Sequence, residues 1–102
     1  MNIRDEILSA HGEMIEWRHE LHKNPQTAFE ETFAANFIQE KLTEFGIPFK
    51  TGYGKTGIVA KIEGKTNTSG KSIAFRADTD ALDINEESGK TWRSKTDGKM
   101  HG

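Results

Sequence analysis

The 102-residue sequence contains no cysteine, which excludes a disulfide framework and any zinc site built on thiolates within these residues. It also lacks an apolar run approaching the roughly 18 residues of a membrane-spanning helix. Its charged N-terminus does not resemble a secretory signal. A net charge of −2 gives no general reason to expect nucleic-acid binding. We therefore expect a cytoplasmic chain with neither a membrane nor a nucleic acid as partner.

Large core-forming side chains are scarce. Leu, Ile, Val and Phe together number 20 of 102 residues, close to the level of about 20% below which chains tend to be disordered. The apolar residues are nevertheless patterned along the chain. We expect a folded chain with a thin core, consistent with part of a larger unit.

The first half of the chain has the apolar spacing of two helices. The pattern predicts a first helix over residues 3–22, ended by Asn24-Pro25 because the residue before proline is pushed out of the helical region. Thr27 and Glu30 match a capping box, which predicts that a second helix starts there. Gly46 is a natural residue to end it. The apolar face of the second helix is formed by Phe29, Phe33, Ala34, Phe37, Ile38, Leu42 and Phe45.

The second half changes to the patterns of strands and turns. We predict strands from Ile47 to Tyr53, from Ile58 to Glu63 and from Ser72 to Ala77. A long irregular segment follows Asp78. This α-α-β-β-β order predicts an α/β layered domain, in which three strands are too few to cover two apolar helix faces.

Two glycine-containing segments resemble nucleotide-binding loops. Gly52 to Gly57 matches G-x-G-x-x-G, and Gly64 to Ser72 resembles a phosphate-binding loop with one residue too many. Both are followed by strand patterns, whereas phosphate binding requires the start of a helix. We interpret the first as a hairpin turn and reject both as cofactor sites.

The densest acidic group follows the third predicted strand and contains Asp78, Asp80 and Asp83, with Glu86 and Glu87 nearby. Carboxylates beyond the C-terminal end of an apolar strand lie where α/β proteins place ligand sites. Such groups can hold a divalent cation or orient a metal-binding histidine.

The histidines are less informative. Three of the four, His11, His19 and His22, fall on the first predicted helix, where we expect structural or solvated roles. The fourth, His101, lies in the irregular segment.

Taken in order, several motifs resemble the M20-type metallo-amidohydrolases, the group that includes hippurate hydrolases, N-acyl-amino-acid amidohydrolases and auxin-conjugate hydrolases. The resemblance covers residues 15–102. The motifs that carry it are Leu21–Pro25, Phe29–Thr32, Thr56–Ala60, Arg76–Leu82, Glu86–Glu87 and Ser94–Gly102.

The resemblance implies the N-terminal portion of a three-layer α/β/α metallopeptidase catalytic domain. Residues 1–102 would then be a partial catalytic domain, without the dimerisation or lid domain and the rest of the catalytic domain. The implied enzyme uses two divalent metal ions (Zn, Mn, Co or Ni) to hydrolyse the amide bond of N-acyl amino acids. It takes a small-molecule substrate, and its whole form could be a homodimer.

The resemblance carries over two site residues and no metal ligand. Asp80 matches an aspartate that orients the metal site, and Asp78 matches the preceding aspartate of the motif. His101 matches a histidine that we do not expect to be a ligand. We therefore expect that residues 1–102 alone bind no metal pair and are inactive.

Two alternatives remain open from the sequence. The chain could be a non-catalytic binding or regulatory module, or a decayed gene product, derived from such an enzyme. It could also be a small carboxylate-based binder of divalent cations that uses Asp78, Asp80 and Asp83.

Overall fold

The computed structural model describes residues 2–102 and contains two helices and one β-hairpin. Helix α1 spans Ile3–Lys23 and helix α2 spans Thr32–Glu44, while strand β1 spans Phe49–Tyr53 and strand β2 spans Gly57–Ala60. This arrangement confirms the predicted α/β class. No helix in the part of the chain that the structure describes is long and apolar enough to cross a membrane.

Helix α1 forms as its apolar spacing predicts. Asn2 caps its start by accepting a hydrogen bond from the Asp5 amide at 3.3 Å. Asp5 and Glu6 lie in the first turn, and His22 and Lys23 in the last, where their charges suit the helix dipole. The helix ends at Lys23, one residue beyond the predicted boundary.

The predicted start of α2 is wrong. Thr27 and Glu30 bond to each other, Thr27 Oγ1 to Glu30 Oε2 at 3.0 Å, and form a turn before the helix. The helix begins at Thr32, and Gln26 Oε1 accepts from the Phe33 amide at 2.7 Å. A side chain seven residues upstream of Phe33 therefore satisfies one of the free amides in the first turn of α2.

The predicted turn at Gly52–Gly57 is confirmed as the hairpin that joins β1 to β2. The strands pair antiparallel, with Phe49 opposite Ala60 and Thr51 opposite Ile58, and the register shifts between Thr51 and Tyr53. A Cβ on Gly57 would collide with the Tyr53 carbonyl oxygen, so this position requires glycine. The strand β2 ends at Ala60, earlier than the predicted Glu63.

The third predicted strand, from Ser72 to Ala77, is wrong. Residues 61–80 have no regular secondary structure and pair with neither strand of the hairpin. Ile73 is 81% exposed and Phe75 is 92% exposed. A strand forms only where a neighbour pairs with its backbone, and no described residue forms a backbone hydrogen bond with residues 72–77.

The core is as thin as the composition predicts. Among residues 2–102, only alanines, Pro25 and Glu31 are buried, and no large side chain is fully enclosed. The chain exposes 8367 Å² of surface, whereas a folded monomer of this mass exposes roughly 5,800 Å². Its radius of gyration is 16.1 Å, against about 13 Å for a compact chain of this length. A large apolar surface is therefore uncovered.

Candidate functional site

The segment that begins at Asp80 is held against the first helix and the connection that follows it. The Ala81 amide donates to the Gln26 carbonyl at 2.8 Å, and the Lys95 amide donates to the Lys23 carbonyl at 2.9 Å. Ala81 is only 3% exposed. The segment thus packs where α1 ends and the chain turns towards α2.

A pair of backbone hydrogen bonds closes residues 82–100 into a loop. The Leu82 amide donates to the Met100 carbonyl at 2.9 Å, and the Met100 amide donates to the Leu82 carbonyl at 3.0 Å. We call residues 82–100 the closed loop. Because its two ends meet, Asp80 and His101, which lie just outside them, are brought side by side.

The environment of His101 favours its neutral form. Burial lowers the pKa of its imidazole, and the nearby charge of His22 lowers it further. The backbone carbonyl and the carboxylate of Asp80 act in the opposite direction but do not outweigh these effects. A neutral ring presents one donor and one acceptor nitrogen beside Asp80.

A largely enclosed contact between two ionisable side chains joins α1 to the closed loop. His22 Nε2 lies 2.8 Å from Glu86 Oε1, and the two side chains are 12% and 5% exposed. Hydrogen bonds from the Ser88 hydroxyl and the Ser94 amide, followed by the contact with His22, lower the pKa of Glu86 to about 2 against the opposing effect of burial. Glu86 is therefore ionised at neutral pH.

His22 and His101 line a cleft of about 520 Å³ between the two helices and the segment before the closed loop. Trp17 and Leu21 of α1 contribute apolar lining, and His22, Asp78 and His101 contribute polar groups. An apolar cleft with a few convergent polar groups is typical of a small-molecule site.

A second polar cluster lies on the hairpin side of the same segment. Glu31 is 5% exposed and accepts from the Phe29 amide at 2.8 Å and from the Thr56 hydroxyl. Burial acts to raise the pKa of Glu31, but the hydrogen bonds outweigh it and the pKa is lowered. Glu31, Thr56, Asp78 and Asp80 all line a hollow of about 470 Å³.

The described residues do not by themselves form a metal centre. No three histidine, aspartate or glutamate side chains between residues 2 and 102 converge so that they could hold an ion. Asp78 pairs with Arg76 at 2.6 Å and Asp83 pairs with Lys99 at 2.7 Å. Asp78 and Asp83 therefore each contact a cationic side chain rather than another carboxylate.

The chain is similar in sequence to several hydrolases. The chain is 40% identical over 101 residues to the hippurate hydrolase of Campylobacter jejuni, covering 99% of this chain and 26% of that protein. It is 38% identical over 89 residues to the N-acyl-L-amino acid amidohydrolase of Geobacillus stearothermophilus, covering 87% of this chain and 24% of that protein. No family model matches the chain.

A solved structure agrees with these relatives. The crystal structure of a dinuclear metal-binding peptidase of the M20 family from Bacillus subtilis superposes with a TM-score of 0.83. The sequence identity is 36%, over 91% of this chain and 26% of that chain. These 102 residues belong to the M20 family. The chain spans about a quarter of the length of the M20 relatives it matches.

The M20 motifs of the sequence fall on both sides of the cleft. Asp78, one of the two predicted site residues, lines the cleft, and Asp80 contacts His101 and lines the hollow beside Glu31. Sequence reasoning did not identify the contact of His22 with Glu86 or the burial of Glu31. His22, Glu86 and Glu31 all lie within the M20 motifs, and this was the signal that the sequence offered. The contact of His22 with Glu86 spans 64 positions, and that of Glu31 with Thr56 spans 25.

Proposed function

We propose that this chain is part of the catalytic domain of a metal-dependent amidohydrolase that hydrolyses the amide bond of N-acyl amino acids. The proposal rests on the closed loop, which brings Asp80 beside His101 near a cleft lined by Asp78 and apolar side chains. This arrangement occurs in a segment related to hydrolases of N-acyl amino acids. The cleft offers an apolar wall to an acyl group.

Two divalent metal ions (Zn, Mn, Co or Ni) would polarise the substrate carbonyl and activate a water in the whole protein. The described residues do not gather the ligands of such a centre, so we assign its ligands to residues outside this chain. The role that we propose for Asp80 is to orient a ligand side chain through its carboxylate, as outer residues do in metal sites. We propose that Asp78 supports it from the cleft side.

We further propose that residues 1–102 are a partial catalytic domain that is inactive alone. In this proposal, residues 1–102 contain neither the rest of the catalytic domain nor a dimerisation or lid domain. Mixing the purified 102-residue chain with hippurate and each of the four metals is expected to give no hydrolysis. Metal-dependent turnover by this chain would overturn the inactivity that we propose.

The function is tested with a chimera in which residues 2–102 replace the matching segment of the Campylobacter hippurate hydrolase. We expect metal-dependent hydrolysis of hippurate, and a loss of about 10- to 100-fold in kcat for Asp80→Asn, the size typical of groups that orient metal ligands. Asp97→Asn, at an exposed aspartate in the closed loop, is the matched control and should retain full activity. A folded but inactive chimera, or equal activity of the two variants, would contradict the proposal.

A further inference from the structure

The most enclosed ion pair in the described chain has no part in the function proposed so far. His22 and Glu86 lie 64 positions apart, and their side chains are 12% and 5% exposed at a separation of 2.8 Å. The other ion pairs have at least one partner that is 45% exposed or more. Surface pairs contribute little to stability, whereas an enclosed pair fixes geometry because an unpaired partner would be costly.

Glu86 joins three parts of the molecule. Its Oε1 atom accepts from His22 of α1 and from the Ser94 amide, also at 2.8 Å, and its Oε2 atom accepts from the Ser88 hydroxyl. Both arms of the closed loop are therefore attached to one carboxylate. That carboxylate is in turn attached to the last turn of α1.

The same pair lies next to the candidate site. The ring centroids of His22 and His101 are 6.3 Å apart, and both side chains line the cleft. His101 directly follows Met100, the residue that closes the loop against Leu82. The orientation of the closed loop on α1 therefore sets where His101 and its neighbour Asp80 lie.

We infer that His22 and Glu86 are positioning residues, which hold the closed loop on α1 so that Asp80 and His101 keep their place at the site. This inference rests on the proposed function. Of the two residues, Glu86 lines neither the cleft nor the hollow beside Glu31. Its loss should therefore lower kcat through misplacement of Asp80 and leave KM, which reflects substrate binding, nearly unchanged.

Kinetics of the same chimera test the inference. We expect Glu86→Ala and His22→Ala each to lower kcat by about 10- to 100-fold, measured per folded molecule below the melting temperature. KM should stay constant in Glu86→Ala, because Glu86 does not line the cleft. The double variant should lose no more than either single variant, because the two side chains act as a unit. Glu86→Gln keeps the acceptor oxygen for Ser94 and should retain most of kcat.

Glu87→Ala is the matched control, since Glu87 is the exposed neighbour of Glu86, and its kcat should stay within about twofold of the parent. Equal kcat values for Glu86→Ala and Glu87→Ala in an active, Asp80-dependent chimera would overturn the positioning role and leave the proposed function standing. If the parent chimera is inactive, the proposed function fails instead.

Hydrogen exchange tests, without any activity measurement, whether His22 holds the closed loop on α1. In the 102-residue chain, His22→Ala should speed exchange of the Leu82, Ser94 and Met100 amides by about 10-fold or more, because it loosens the closed loop. Glu87→Ala should leave their exchange unchanged. Unchanged protection of these amides in His22→Ala would overturn the inference whatever the chimera does.

Discussion

Two regions of the chain differ in how they are held. The anchored region comprises the second half of α1, the connection to α2, which contains the buried Glu31, and residues 80–102. Backbone hydrogen bonds and the His22–Glu86 pair join its parts. The uncovered region comprises the first half of α1 and residues 61–77. There Ile3 is 70% exposed, Ile62 is 76% exposed and Phe75 is 92% exposed.

The comparison shows that polar contacts maintain the candidate site where a large apolar core is lacking. All the groups with shifted pKa values lie in or against the anchored region. The uncovered region instead carries apolar side chains that nothing described shields from water. Stability and association should therefore respond to different parts of the sequence.

Acidification should produce the largest effect, because it acts on three groups of the anchored region together. Glu86, Glu31 and His101 all have lowered pKa values, so each binds its proton more weakly in the folded than in the unfolded chain. Unfolding is then favoured as pH falls. The free energy of unfolding, measured in urea, should decline first below the usual value of 6.5 for His101 and again below the usual 4.5 for the carboxylates.

For Glu86 the decline should continue to about pH 2, its pKa in the folded chain. His101→Gln should remove the first phase and Glu86→Gln should reduce the second. A free energy of unfolding that is constant from pH 7 to 3 would show that these contacts do not persist in solution.

Removing the buried carboxylate of Glu31 should give the next largest effect. Glu31→Leu leaves the Phe29 amide and the Thr56 hydroxyl without their acceptor, and an unsatisfied buried group costs about 1–3 kcal/mol. Glu40→Leu makes the same change at an exposed position of α2 and serves as the control. Equal urea midpoints for the two variants would contradict this prediction.

The stacked rings of His19 and Trp92 should have a moderate effect. Their centroids are 4.0 Å apart with an interplanar angle of 9°, which attaches the closed loop to the outer side of α1. A double-mutant cycle of Trp92→Ala and His19→Ala should give a coupling energy of about 0.5–1.5 kcal/mol, in line with other stacked ring pairs. Fully additive losses of unfolding free energy in the double variant would show that the stack does not couple the two residues.

Substitution in the uncovered region should have the smallest effect on stability. Phe75→Lys and Ile73→Lys should each change the free energy of unfolding by less than about 0.5 kcal/mol. Exposed apolar surface promotes association, so sedimentation should show concentration-dependent self-association that both variants reduce. A loss above 1 kcal/mol would place these side chains in a packed environment and remove the contrast between the regions.

Local signals in the sequence predicted the helices and the hairpin well. The apolar spacing of α1 is a property of adjacent turns, and Gly57 is required by the hairpin itself. The start of α2 was wrong because Gln26, outside the capping motif, reaches the Phe33 amide. The third strand was wrong because strand formation depends on a neighbour that a local pattern cannot reveal.

The candidate site was predictable only in part. Asp78 and Asp80 were identified through an ordered set of motifs, and the structure places them at the cleft and at the hollow beside Glu31. Their roles remain predictions. The pairing of His22 with Glu86 crosses 64 positions, and neither composition nor spacing encodes such a contact. The M20 motifs mark both residues without indicating that they meet.

The bridge between Leu82 and Met100 also constrains the order in which the chain folds. Its residues are 18 positions apart, whereas His22 and Glu86 are 64 apart. Closing the longer separation costs about 1 kcal/mol more in chain entropy. The less costly route is therefore to form α1 and the closed loop separately and dock them afterwards. The site would then be among the last parts of the molecule to assemble and the first to open when it unfolds.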